Sequence, residues 1–168
     1  MLKIRRRCFE TNSSSTHAIC IPNSRKIGGG FEIIFQVGDY GWEDSYVDQN
    51  DYLYTAICEL YANDEKKRQE VLDHIREVCS KHNIDCLFVE PRWRNYNGHR
   101  YLDSDYGIDH YGDLNELIDI LMKDENLLER YIAGAQVFTG NDNEGNDRIE
   151  EIIADFKEDG YYVFEKGN

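Results

Sequence analysis

Leu2-Lys3-Ile4-Arg5-Arg6-Arg7-Cys8 runs into Phe9-Glu10-Thr11-Asn12-Ser13-Ser14-Ser15-Thr16-His17, and Ala18-Ile19-Cys20-Ile21 follows before Pro22. The two outer pieces read as short strands, the second ended by a proline that cannot donate to a ladder. The middle piece resists helix, because hydroxyl and amide side chains compete for backbone hydrogen bonds and favour an ordered turn. A chain that opens on strand, polar turn and strand predicts a sheet near its start. Such a turn between two strands also presents Glu, Asn, Ser and His together, as a polar site on a rigid scaffold needs.

Working outward, residues 23–30 form a turn rich in Gly and basic groups, and Phe31 to Val37 reads as an apolar, central strand. Residues 38–50 read as a loop of acids and aromatics that includes Trp42, Glu43, Asp44 and Tyr46. Leu53, Ala56, Ile57 and Leu60 then recur at helical spacing over 51–61. Val71, Leu72, Ile75, Val78 and Cys79 make a second helical stripe over 64–82, with Asn63 or Asp64 as its cap. Asp85 to Glu90 returns as a strand, and 91–112 reads as a long loop of aromatic and basic residues. Helices are predicted over 113–121, 125–133 and 147–158, with strands over 135–139 and 161–165. Strands and helices mix without regular alternation, which predicts an α+β fold with a mixed or mostly antiparallel sheet. No composition break divides the chain, so 1–168 is expected to be one domain.

The net charge of −14 is unevenly spread. Residues 1–30 carry six Lys or Arg against Glu10, a surplus of +5, whereas 31–168 hold 13 bases and 32 acids, or −19. An acidic body repels nucleic-acid phosphates and is drawn to basic clefts, which disfavours a free DNA or RNA binder. Solubility alone is the commoner reason for such a charge. No apolar run is long enough to span a bilayer, so no membrane partner and a cytoplasmic, host-cell location are expected. The five cysteines, Cys8, Cys20, Cys58, Cys79 and Cys86, include no Cys-x-x-Cys pair and are expected to be reduced and mostly buried. Gly28-Gly29-Gly30 lacks the following Lys-Ser/Thr of a phosphate loop, and the serine run lacks the frame of a nucleophile elbow.

Two later pieces accompany the opening motif: Gly107-Ile108-Asp109-His110 and Thr139-Gly140-Asn141-Asp142-Asn143. In this order, and over about a tenth of the chain, the three segments resemble a family of small bacteriophage and mobile-element proteins. Some type II anti-CRISPR proteins are similar in size and opening motif, and among them are inhibitors that damage the guide RNA. The resemblance implies an anti-defence protein that docks on a Cas9-type CRISPR effector and meets RNA only in that complex. It implies no settled catalytic residues.

The residues themselves offer two chemistries. Convergence of the three polar turns would line one cleft with Glu10, Asn12, Ser14, His17, His110 and Asp142. Two imidazoles can divide the general base and general acid roles of RNA cleavage near neutral pH, while Ser and Asn hold developing phosphorane charge. A metal-assisted variant would instead use Asp109, His110 and Asp142 as ligands of a divalent cation. Each piece also has a plainer reading: an Asx turn at 141–145, a helix lead-in at Asp109-His110, a satisfied hydrogen bond at His17. Arg92-Trp93-Arg94 is a candidate grip on single-stranded nucleic acid by stacking and cation–π contact, with packing of Trp93 on the core as its alternative. Asp44, Asp48 and Asp51 are candidate phosphate mimics facing a basic groove, and a non-catalytic inhibitor built on them is the second functional reading.

Overall fold

The structure, a computed structural model, describes residues 15–28, 31–41, 45–108, 114–141 and 147–166. Its strands are β1 (Ser15–Ile21), β2 (Glu32–Phe35), β3 (Asp39–Tyr40), β4 (Ser45–Val47), β5 (Asp85–Phe88), β6 (Trp93–Tyr96), β7 (His99–Leu102), β8 (Gly107–Ile108), β9 (Gln136–Asn141) and β10 (Tyr162–Lys166). Its helices are α1 (Gln49–Leu60), α2 (Glu65–Ser80), α3 (Leu114–Lys123), α4 (Glu125–Gly134) and α5 (Asp147–Glu158). The fold is α+β. A four-stranded antiparallel sheet runs in the order β10-β1-β9-β4, and three two-stranded pairs stand beside it.

Strand β1 organises the larger sheet because both of its edges are paired and both of its faces are covered. Ala18, Ile19, Cys20 and Ile21 are all fully buried. Ile19 and Ile21 join the main core with α1, α2, α3 and α4, whereas Ala18 and Cys20 join a smaller cluster with Ile149, Ile153 and Phe156 of α5. Period-2 alternation thus sends successive β1 side chains into two different apolar layers. Truncating a fully buried isoleucine such as Ile19 to alanine would cost about 2–5 kcal/mol.

Helix α2 buries the stripe its spacing predicts, and Asp64 caps it by accepting from the Lys67 amide at 2.9 Å. Helix α1 begins earlier than its apolar spacing indicates, at Gln49, because the Asp48 carboxylate accepts from the amides of Asn50 and Asp51. Its polar face then does something the sequence did not disclose. Asp51, Thr55 and Glu59, four residues apart, accept hydrogen bonds from the backbone amides of Gln36 (2.9 Å), Gly38 (2.9 Å) and Ile108 (2.8 Å). One helical ridge therefore holds the exit of β2, the start of β3 and the end of β8.

Three expectations are corrected. The strand within Phe31 to Val37 is not central: among the described residues β2 pairs with β5 alone, in parallel, and Ile34 stays 52% exposed. Its Ile33 and Phe35 face the core while the alternate residues face solvent, so a half-buried strand was masked by apolar residues on both faces. Residues 38–50 are not a plain loop, since they contain β3, β4 and the first turn of α1. Residues 91–108 are not a loop either. Strands β6 and β7 form an antiparallel hairpin around Asn97-Gly98, both at positive φ (50° and 80°), the two-residue turn that fits strand twist.

Cys20, Cys58, Cys79 and Cys86 are free thiols, the first three buried. Burial pushes the Cys20 and Cys58 thiols up to about 12. Cys86 is half-buried, and its thiol is held below the ordinary value by a hydrogen bond from Cys79 and by the nearby Arg76 guanidinium. Thiolate is the reactive form, so Cys86 is expected to alkylate first among these four at neutral pH. Peptide mapping after brief iodoacetamide treatment checks this, and prior labelling of Cys20 or Cys58 would contradict it.

Candidate functional site

The main-core face of the four-stranded sheet changes character from one row to the next. Phe164, Ile19, Val137 and Val47 lie opposite one another across β10, β1, β9 and β4, and all four are core residues. Two positions along, the same face carries Lys166, His17 and Thr139, with Ser45 in register beside Thr139. His17, Thr139 and Lys166 are buried polar groups, His17 and Lys166 completely so. A lysine is almost never this deeply buried without partners, so the row is a built polar layer rather than a fringe of the core.

Helix α1 closes the row from above. The Tyr52 hydroxyl lies 2.6 Å from His17 Nδ1, and the two rings meet edge-on with centroids 5.7 Å apart. Tyr52 is itself fully buried, and burial keeps its phenol well above the ordinary value, so it is a neutral hydrogen-bonding group at all working pH. A phenol that donates to Nδ1 leaves the proton of neutral imidazole on Nε2, which makes that nitrogen a donor. The Tyr40 ring packs at 5.4 Å on Tyr52, and the Tyr131 hydroxyl donates to the Gln49 carbonyl at 2.8 Å, enclosing the site in aromatic side chains.

Register decides which polar turns can meet. Ser15 is opposite Asn141, so the segment leading into β1 and the segment leaving β9 join the sheet at the same end. Ser45, which opens β4, pairs with Thr139 at that end, and Lys166, which closes β10, pairs with His17. Strand β8 ends at Ile108 against Glu59 of α1, the helix that also carries Tyr52. The remaining sequence-derived site residues Glu10, Asn12, Ser14, Asp109, His110 and Asp142 lie outside the described residues, as does Asp44. Among the described residues no group of His, Cys, Asp and Glu is arranged to hold a metal ion.

Tyr52, Thr139 and Lys166 were not singled out as site residues by sequence reasoning. Thr139 sat inside a quoted motif without a role. For Lys166 the signal was available: alternation from Phe164 puts a lysine on the inward face two residues later. For Tyr52 it was not, because a tyrosine beside an apolar stripe reads as a flank of that stripe.

The candidate surface residues have specific occupations. Asp48 is the α1 cap and Asp51 holds the Gln36 amide. Two guanidinium groups contact the Trp93 ring, Arg68 at 4.7 Å and Arg100 at 4.3 Å from its centroid, and its indole donates to Glu90 at 2.8 Å. That is the packing alternative for Trp93. Arg92 reaches the Tyr106 hydroxyl at 2.9 Å and pairs with Asp103 and Asp105, and Arg94 pairs with Asp103 at 3.5 Å.

The chain matches no protein-family model, no curated protein and no solved structure. No described helix is long and apolar enough to cross a membrane.

Tyr52→Phe is expected to destabilise the protein by about 1–3 kcal/mol, because it strips the fully buried His17 of a hydrogen-bond partner. Urea unfolding monitored by tryptophan fluorescence measures it, and an unchanged midpoint would remove the His17–Tyr52 bond from the account of the fold. Trp93→Ala is expected to cost about 2 kcal/mol through lost packing of a half-buried indole and its two guanidinium partners. Urea unfolding followed by circular dichroism reads that loss.

Proposed function

We propose that the chain is an anti-defence protein of a mobile element that docks on a type II CRISPR effector and cleaves or disables the guide RNA. The observation that carries this reading is the shared sheet end: Ser15, Asn141, Ser45 and Lys166 bring the flanks of two polar motifs to the buried His17–Tyr52 pair. In this reading Glu10, Asn12, Ser14 and Asp142 supply the groups that meet RNA. His17 positions the row and Lys166 biases it towards an anionic substrate. His110 shares proton transfer, or joins Asp109 and Asp142 on a divalent cation in the metal-assisted variant.

Docking is carried by charge. Helix α5 turns Ile149, Ile153 and Phe156 inward and leaves Glu150, Glu151, Asp155 and Glu158 exposed. A row of carboxylates of this kind complements an effector channel built to hold a heteroduplex by its phosphates. With Asp48 and Asp51 committed to α1, the α5 face is a better mimic of phosphates than the loop before α1.

A second reading, a non-catalytic acidic inhibitor, draws support from the complete burial of His17. One experiment separates the two. Guide-loaded effector is mixed with the protein and the RNA is run on a denaturing gel, with and without EDTA. Shortened RNA is the expected result, lost with Glu10→Gln and with His110→Ala while binding to the effector persists. Intact RNA with blocked DNA binding would establish the inhibitor, and absence of any effect would refute both readings. Binding should weaken as salt rises beyond about 0.1 M, where exposed charges are screened within about 10 Å.

A further inference from the structure

We propose that the outward face of the β6–β7 hairpin is a stacking platform for single-stranded RNA. The pairs Arg94↔Tyr101 and Tyr96↔His99 lie directly across the ladder, and side chains alternate faces along each strand. Arg94, Tyr96, His99 and Tyr101 therefore share one side of the hairpin. All four are exposed, Tyr96 by 71% and Tyr101 by 46%. Three of them, Arg94, Tyr96 and Tyr101, line with Asn95 a groove of about 380 Å³.

The inward side explains why such a small hairpin can hold that face in place. Leu102 is buried in the core, and Trp93 is in cation–π contact with Arg68 and Arg100. The Asn63 side chain bonds Arg100 twice, donating to its carbonyl at 3.0 Å and accepting from its amide at 2.6 Å. Arg100 also pairs with Glu65 of α2 at 2.6 Å. The platform is thus anchored to a helix before any ligand arrives, which spares the ordering cost of binding.

The chemistry of the groove selects its occupant. Two phenol faces offer stacking to any base, the His99 imidazole stands beside the groove at 6.4 Å from Tyr101, and Arg94 supplies donors for phosphate or base edges. Positions two apart on a strand are spaced by about 6.7 Å, so Arg94 and Tyr96 address successive parts of an extended ligand. A duplex hides its base faces and would gain nothing here. Asp103 and Asp105 offset the charge of Arg92 and Arg94, so stacking rather than counterion release drives the contact. The dependence of log affinity on log salt should accordingly be shallow, about −0.7 to −1.4 for one or two phosphates. The proposal rests on the reading above in taking RNA as the shared ligand and concerns a different surface, where base stacking works against the repulsion between the acidic body and phosphates.

Fluorescence anisotropy with the full-length protein and a labelled oligouridine of about fifteen nucleotides tests it at about 50 mM salt. Tyr96→Ala and Tyr101→Ala should each weaken binding about ten-fold, and Tyr96→Phe should retain it, since the ring and not the hydroxyl stacks. Tyr162→Ala, which removes an exposed tyrosine from β10, should have no effect. Circular dichroism establishes that each variant is folded. Failure of the wild type to bind the single strand, equal binding of a duplex, or binding untouched by both alanine variants would overturn the platform. The guide-RNA gel would still stand or fall on its own result.

Discussion

A buried hydrogen bond between an imidazole and a phenol ties the sheet to the helix on which much of this fold is hung. His17 belongs to the strand at the middle of the four-stranded sheet, and Tyr52 belongs to α1. Leaving either partner alone in a dry layer would cost more than the bond itself contributes, so the pair specifies one seating of α1 over β1. That seating propagates. The neighbouring ridge of α1 accepts the Gln36, Gly38 and Ile108 amides, so the position of the helix dictates where β2, β3 and β8 run. The smaller pairs need not be held by a continuous ladder, because a helix does the holding.

The same economy shapes the surface. Several charged side chains that would count as generic solubility groups are spent on backbone amides or on ordering a single ring. Asp48 and Asp64 cap helices, and Glu65 restrains Arg68 and Arg100 around Trp93. On the outer side of α5, by contrast, Glu150, Glu151, Asp155 and Glu158 face solvent as a group. The polar row around His17, the acidic helix face and the aromatic hairpin are thus three distinct regions with three different kinds of chemistry.

Local periodicity was legible in the sequence, and long-range pairing was not. Helix α2 could be read from Val71, Leu72, Ile75 and Val78 because its pattern repeats over several turns and a capping aspartate precedes it. The strands before Pro22 and over 136–141 were also readable as elements. Nothing local says that Ile19 pairs with both Val137 and Phe164, since antiparallel partners are chosen by packing rather than by neighbours in the chain. The hairpin was missed for the opposite reason. Trp93 to Tyr96 lacks an apolar alternation, yet Asn97-Gly98 carried the turn signal. At the candidate site, the sequence drew attention to His17 as a reactive group, and only the third dimension shows it enclosed by Tyr52, Thr139 and Lys166.

The central place of β1 has a consequence for how the chain is made. Ribosomal synthesis delivers this strand ahead of α1, but β9 and β10, which cover its two edges, arrive only after all of α1 to α4. Until then Ile19, Cys20 and Ile21 form an unpaired apolar edge beside a nascent helical body, the kind of segment that invites aggregation or chaperone capture. Helices α1 and α2, with contacts close in sequence, can form meanwhile, whereas the sheet must wait for loop closure over most of the chain. Assembly of the polar row is therefore a late event relative to α1–α4, and its residues are presented together only once β10 has been translated.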